Sequence, residues 1–470
     1  MSFSNFFVSF IVGVVLARLL DPRDFGLIAM VTVFTSLFAL IVNAGTGSGL
    51  VQKKEISQID LSTVFFYNIG IGLLAMISLY CLAKPLSGFY EEPRLIRIIQ
   101  VLSINPLIQS LSIVPMEIMN REIRIKERAI AQMIGQLGAA GLGVFLALSG
   151  YGVWALVFAS IGSSSISMTL YWVQGKWIPS MAFSRASFKA IWSFSGKIFY
   201  SNMVDQIVQK VDTIIVVKLV NPTTLGFYEK GKNLGQLPAK QITSILTRSF
   251  FPIMSRLQTK PSEFVDFFQK NNRLISFCSI SFYSALFILS DLLILCLYGY
   301  KWEGTIVFFQ YAILIGMFYS LNAYRIYALN ALGFPRLTLK RNIIFSAIKI
   351  CAFSIVLTVG KTMFKAEWLL ILLLIIVVLN FVWLSLDLRR IINVPIRDQW
   401  KSVYGYAILN ALPLVLVWGL KYYTDFSNWV SLGLGGVVYF LALIVLLHVT
   451  KDEIWSGVKR KIRAQKFGYR

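Results

Sequence analysis

Long runs without a single charged side chain recur along this chain. Phe25–Gln52, Leu61–Ala83, Ile98–Met116, Thr305–Tyr324, Trp368–Leu386, Ser402–Leu420 and Phe426–Thr450 contain no Asp, Glu, Lys or Arg. A helix crosses the hydrocarbon of a bilayer with ~20 mostly apolar residues, because every backbone amide must be satisfied within its own segment. Each run therefore predicts one span. Ala129–Gly175 is also uncharged but is about twice the length of a span, and Ser149-Gly150-Tyr151-Gly152 marks a tight turn in its middle. It predicts two. Phe3–Leu20, Phe188–Val220, Thr223–Pro252, Leu274–Tyr298 and Ile343–Gly360 carry some charge yet remain long and apolar enough to cross. The pattern predicts an all-α integral membrane protein of about fourteen transmembrane helices. The first residues lack a basic stretch and no small-residue cleavage site follows, so a retained first helix is expected, slightly short at its start.

An internal comparison orders these spans. At an offset of 200, Val15-Leu16-Ala17-Arg18-Leu19-Leu20-Asp21-Pro22 through Phe25-Gly26 lies over Ile215-Val216-Val217-Lys218-Leu219-Val220-Asn221-Pro222 through Leu225-Gly226. The shared features are a base, two apolar residues, Asp or Asn, Pro, and a Gly four residues later. They read as a helix stop, an Asx-Pro turn and a new helix. Six spans separate the copies, so both halves face the same way and are related by an axis along the membrane normal, with a cleft between them. The expected organisation is a first six-helix bundle, 1–173, a cytoplasmic linker, 174–188, a second, pseudo-symmetric six-helix bundle, 189–390, an appended helix pair, 391–449, and a basic tail, 450–470. Segments 12–31 and 212–231 are expected to superpose.

Composition agrees with a bilayer as the solvent: 57% of residues are hydrophobic, 14% are charged, and the mean hydropathy is +0.69. The net charge of +23 would suit nucleic acid if it formed one soluble patch. It does not. The bases concentrate in alternate short loops, such as Lys53 and Lys54, Arg121 to Arg128, Arg256 to Arg273, Arg336 to Arg341 and Arg389 to Lys401, while the intervening loops are poorer. By the positive-inside rule both termini are expected in the cytoplasm. The tail bases from Lys451 to Arg470 agree and would also hold anionic headgroups of membrane lipids.

Charges within spans are costly and usually face a partner or a water-filled cavity. Apart from Arg18, the spans of the first bundle are nearly uncharged. The seventh carries Lys197, Asp205, Lys210, Asp212 and Lys218; the eighth carries Glu229, Lys230, Lys232, Lys240 and Arg248; Arg325 and Lys349 sit in the tenth and eleventh. Lys197, Ser201, Asp205, Gln209 and Asp212 fall on one helical face. Two readings stand together. A basic intramembrane cavity suits an anionic phosphate or pyrophosphate; alternatively, Asp205, Asp212 and Glu229 pair with neighbouring bases to hold helices together, and the outer lysines snorkel. Arg325 and Lys210, the deepest by position, are the leading substrate candidates. Trp154, Trp172, Trp177 and Trp192 read as interfacial anchors. Pro106, Pro115, Pro238 and Pro252 interrupt or end spans.

No catalytic constellation is present. His448 is the one histidine, and Cys81, Cys278, Cys296 and Cys351 lack paired spacing, so no metal site or disulfide framework is expected, and no nucleotide-binding loop appears.

Pro115–Ile161, with Asn120-Arg121-Glu122-Ile123-Arg124 and Leu146-Ala147-Leu148-Ser149-Gly150-Tyr151-Gly152-Val153-Trp154, resembles the bacterial polysaccharide-biosynthesis flippases of the MATE-like exporter superfamily. Ala17–Leu27 and Val211–Ser255 resemble the same family's first-helix and seventh-to-eighth-helix patterns, so the resemblance covers roughly residues 1–390. It implies a bacterial inner-membrane protein that moves undecaprenyl-diphosphate-linked oligosaccharide to the periplasmic leaflet by alternating access, for O-antigen (lipopolysaccharide), capsule or exopolysaccharide assembly. Expected partners are that lipid-linked glycan, membrane lipids, a polysaccharide polymerase and chain-length-control proteins. Under this reading the diphosphate meets Arg325, Lys210, Lys232, Lys240, Lys349 and Arg18, and no cofactor is needed beyond a coupling H+ or Na+ at Asp205 or Asp212. Two rivals are a cation-coupled multidrug exporter, which would want a carboxylate inside the first bundle, and a membrane glycan polymerase or ligase, which would want a large periplasmic loop.

Overall fold

The computed structural model describes residues 2–43, 46–53, 55–359, 366–424 and 426–450. Among the described residues the secondary structure is helical throughout, without strands. Two compact units result, Met1–Phe227 and Tyr228–Arg470.

The first unit contains α1 (Ser2–Leu19), α2 (Pro22–Asn43), α3 (Thr46–Gln52), α4 (Gln58–Tyr90), α5 (Leu95–Leu102), α6 (Ile104–Arg121), α7 (Ile125–Leu148), α8 (Val153–Gly175) and α9 (Arg185–Leu219), and ends in the first turns of α10 (Pro222–Ile245). Sequence signals set these boundaries. Pro22 and Pro222 each open a helix, where the missing N–H would be unbonded anyway. Ser57 and Asp60 form a reciprocal capping box at the start of α4, and Glu91 ends that helix in the left-handed region. The linker after α8 leads into α9, which packs on α2, α3 and α4.

The second unit continues from α10 through one π-helical turn, Leu246–Phe250, into α11 (Phe251–Arg256), α12 (Pro261–Ile288), α13 (Ser290–Tyr298), a 3-10 turn at Tyr300–Trp302, α14 (Thr305–Ala331), α15 (Pro335–Val359), α16 (Ala366–Ile392), α17 (Ile396–Tyr423) and α18 (Asn428–Val449). Between α12 and α13 the chain bends by 65°. The appended pair is part of this unit's core: Val417, Tyr439, Leu443 and Leu447 bury against Ala285, Leu289 and Leu292.

Nine of the described helices are long and apolar enough to cross a membrane, or ten if α12 and α13 form one broken span. Of the remaining long helices, α9, α10 and α15 coincide with charge-bearing segments of the sequence, and in α1 the described apolar stretch Phe7–Leu19 is shorter than a span.

Candidate functional site

At one end of the first unit, the segments after α3, α6 and α8 are laced together. Lys53 pairs with the buried Asp60 at 2.6 Å, and Arg121 donates to the Leu50 carbonyl at 3.2 Å and to that of Lys53. Arg124 pairs with Glu122 and Glu127, whose carboxylates hold its guanidinium above the usual range, and donates to the Gln174 carbonyl. The linker is strapped to this end: Trp177 Nε1 donates to Gln58 Oε1 at 2.8 Å, Gln58 Nε2 to the Ile178 carbonyl at 2.6 Å, and the Ser180 and Ser184 amides to the hydroxyls of Ser62 and Thr63. This is the base-rich end. At the other end Arg23 meets Glu92 at 2.9 Å, and Lys218 meets the Phe89 carbonyl at 2.6 Å and Glu91 at 3.7 Å.

The two Asx-Pro turns meet at this second end. A methyl group placed on Gly26 would overlap the Pro222 carbonyl oxygen, and one placed on Gly226 would overlap the Pro22 carbonyl oxygen. The contact is reciprocal. The start of α2 and the start of α10 thus cross at the two glycines of the repeat, each helix admitting the other's backbone where no side chain projects.

The second unit holds most of the described intramembrane charge. Arg325, on α14, is fully buried, at 0% exposure. Its guanidinium lies 4.2 Å from the ring centre of Phe381 on α16, with Nε 3.3 Å from Ser385 Oγ and Nη1 3.1 Å from the Leu321 carbonyl. The charge is solvated by an aromatic face and local oxygens, and Nη2 has no hydrogen-bond partner among the described residues. Arg325 therefore sits between packed helices, in the core around Leu321, Tyr324 and Leu384, and not on an open wall. Arg341 and Asp387 form a second buried contact, 3.4 Å apart, joining α15 to α16.

The α10 bases are arranged differently. Lys232 lies 3.9 Å from Glu229 and 5.4 Å from the Tyr228 ring centre. Lys230 lies over Tyr298 and the fully buried Trp302, at 5.3 and 5.7 Å. Lys240 and Arg248 are exposed, Arg248 within the π-helical turn. Lys349 lies 5.8 Å from the Phe353 ring centre on its own helix, and Arg18 is exposed on the last turn of α1. The side chains of Lys197, Ser201, Asp205, Gln209, Lys210 and Asp212 lie outside the described residues.

One arrangement has no signature in the sequence. Lys421 of α17 reaches the break between α12 and α13, where Nζ donates to the Ile288 carbonyl at 3.1 Å and to both Asp291 oxygens at 2.7 and 2.6 Å. It bonds a carbonyl near the α12 C-terminus and pairs with a carboxylate in the first turn of α13. Gly435 of α18 closes against Leu289, where a methyl would come within 2.8 Å of Cδ2. Further along, the Tyr439 hydroxyl donates to the Ser281 carbonyl at 2.8 Å and also bonds Asn410.

Comparisons with known proteins fit this architecture. The chain is 23% identical over 288 residues to the teichuronic acid biosynthesis protein TuaB of Bacillus subtilis (strain 168), covering 60% of this chain and 59% of that protein. It is 22% identical over 315 residues to the lipopolysaccharide biosynthesis protein WzxC of Escherichia coli (strain K12), covering 65% and 63%. The matches thus span less than two thirds of these relatives' lengths. Among solved structures, the lipid II flippase MurJ in an inward closed conformation superposes with a TM-score of 0.73 at 16% identity, over 95% of this chain and 99% of that one, so the fold is shared. A family model described as polysaccharide biosynthesis protein matches residues 15–307, most of the chain, and the protein belongs to that family.

Proposed function

We propose that this protein is a flippase that carries undecaprenyl-diphosphate-linked oligosaccharide units from the cytoplasmic to the periplasmic leaflet of a bacterial inner membrane. Membership of the polysaccharide biosynthesis family carries this reading, and a fold shared with a lipid II flippase supports it. The transport cycle is alternating access, driven by differential contacts in inward and outward states.

In this reading all fourteen long helical segments span the membrane as two six-helix bundles plus a pair, with both termini cytoplasmic. Lys232 and Lys240 are assigned to the diphosphate, because positions 232, 236 and 240 share a face of α10 and Lys240 is exposed on it. Arg18, Lys349 and Lys210 contribute further positive charge along the path. Arg325 acts by holding α14 against α16. Asp205 or Asp212 couples transport to H+ or Na+, and a polymerase with its chain-length-control protein takes up the product.

The test is the inventory of lipid-linked glycans in a deletion strain, with the leaflet probed by a periplasmic sugar-modifying enzyme. Single diphosphate-linked units accumulating on the cytoplasmic face are expected. Unpolymerised units on the periplasmic face would replace this reading with that of a polymerase.

A further inference from the structure

At the base-poor end of the first unit, a concave pocket of about 350 Å³ opens between the start of α2, the start of α5 and the turn joining α7 to α8. That size lies within the roughly 300–1,000 Å³ of small-molecule sites. Arg94, which precedes the first residue of α5, and Arg97, in its first turn, line it three positions apart. Both are exposed, and among the described residues neither guanidinium comes within ion-pair distance of a carboxylate, Asp24 across the pocket acting on Arg94 only through a longer-range attraction. This separates them from Arg23 and Lys218 at the same end, which are matched to Glu92 and Glu91.

The opposite wall is aromatic. Tyr151 and Trp154 line it, and the Tyr151 side chain is 57% exposed. Tyr151 is set between Gly150 and Gly152, whose φ angles of +79° and +54° belong to the region that favours glycine. Asp24 supports this turn from α2, its carboxylate oxygens 3.6 and 3.7 Å from where a Gly152 methyl would lie. The pocket therefore offers two guanidiniums for a planar anion, aromatic faces beside them, and a carboxylate that accepts from hydroxyl groups. Topology sharpens the point, because bases are disfavoured on the outer side of a membrane protein. Two exposed arginines at that end, with a single carboxylate, Asp24, facing them at longer range, run against the topogenic signal, and an anionic ligand explains their presence.

We propose that this pocket binds an acidic saccharide, its uronate carboxylate or sugar phosphate held between Arg94 and Arg97 with an adjoining ring against Tyr151 or Trp154. A phosphatidylglycerol headgroup shares the charge, but it presents no polyol ring to an aromatic wall. The outward placement of the pocket and the saccharide as cargo rest on the flippase reading, whereas the anion chemistry does not. The site would receive the glycan as it emerges and would favour acidic repeat units.

The test uses full-length protein in nanodiscs of phosphatidylcholine, titrated with digalacturonate and with cellobiose and followed by calorimetry. The expected result is saturable binding of digalacturonate, weakened at least tenfold in Arg94→Gln/Arg97→Gln and reduced in Tyr151→Ala, with no response to cellobiose. Since these side chains are exposed, the unfolding midpoint should not move. Equal affinity in wild type and double variant would overturn the proposal. So would arginine-dependent retention of phosphatidylglycerol in discs that ignore digalacturonate. Translocation of a lipid-linked acidic oligosaccharide is measured on the same preparations. Protein that binds digalacturonate through Arg94 and Arg97 but moves no lipid-linked glycan keeps the site and removes the flippase reading; protein that moves glycan without saccharide binding removes the site alone.

Discussion

Alanine at Gly26 tests how tightly the two Asx-Pro turns are seated against each other. The added carbon would overlap the Pro222 carbonyl oxygen and lie 2.6 Å from the carbonyl carbon behind it, where unstrained carbons sit about 3.5–4.0 Å apart. The obstructing atoms are backbone, so no rotamer change relieves them, and because the oxygen is nearer still the starts of α2 and α10 must part by about 1.5 Å or more. Overpacking of this kind costs about 1–3 kcal/mol, against a gain of about 1 kcal/mol from replacing a helical glycine with alanine. Gly70 and Gly436 are the controls, since a methyl on either meets nothing within 4 Å and only the gain applies. Gly26→Ala and Gly226→Ala should therefore lower the thermal unfolding midpoint in detergent, while Gly70→Ala and Gly436→Ala should not. The crossing is shared, so separation forced by one methyl partly accommodates the other, and the double variant should cost less than the sum of the singles. A Gly26→Ala protein as stable as Gly70→Ala, or strictly additive losses, would refute the reciprocal packing.

At Arg325, alanine should lower the amount of folded protein, with a loss of about 2–5 kcal/mol from the cavity left beside Phe381, whereas methionine, which fills the space without a buried charge, should be close to neutral; denaturation midpoints of both variants check this. A Lys421→Ala, Asp291→Asn double-mutant cycle should return a coupling of about 1–3 kcal/mol, and none would mean that the appended pair does not hold the α12–α13 break. A reporter fused after Arg470 should be cytoplasmic, and periplasmic alkaline-phosphatase activity there would invert the topology.

The uncharged runs in the sequence became α2, α4, α7, α8, α14, α16, α17 and α18, because in a bilayer the absence of charge over a span's length is itself the folding signal, while Ile98–Met116 is divided at Ser103 between α5 and α6. Breaks were less legible. Pro85 lies inside α4, which continues to Tyr90, whereas the 65° bend falls at Leu289-Ser290, where neither Pro nor Gly announces it. Arg325 shows why depth along a span does not give orientation. Lipid and packed core are equally apolar, so a membrane helix lacks the one-sided pattern that reveals a soluble helix's buried face, and the sequence around 325 cannot distinguish a cavity wall from a seam on α16. The repeat at Pro22 and Pro222 was visible as a pattern, but that its two glycines touch each other depends on the three-dimensional path. Lys421 reaches Asp291 across 130 residues, a distance at which no spacing rule operates.

Flipping itself can be followed with purified protein in proteoliposomes that carry a fluorescent diphosphate-linked oligosaccharide in the inner leaflet, through its exposure to an impermeant glycan-modifying enzyme. Protein-dependent exposure is expected, slowed in Lys232→Ala/Lys240→Ala while reconstitution is unchanged. Exposure no faster than in protein-free vesicles, with correctly folded protein present, would contradict the flippase reading.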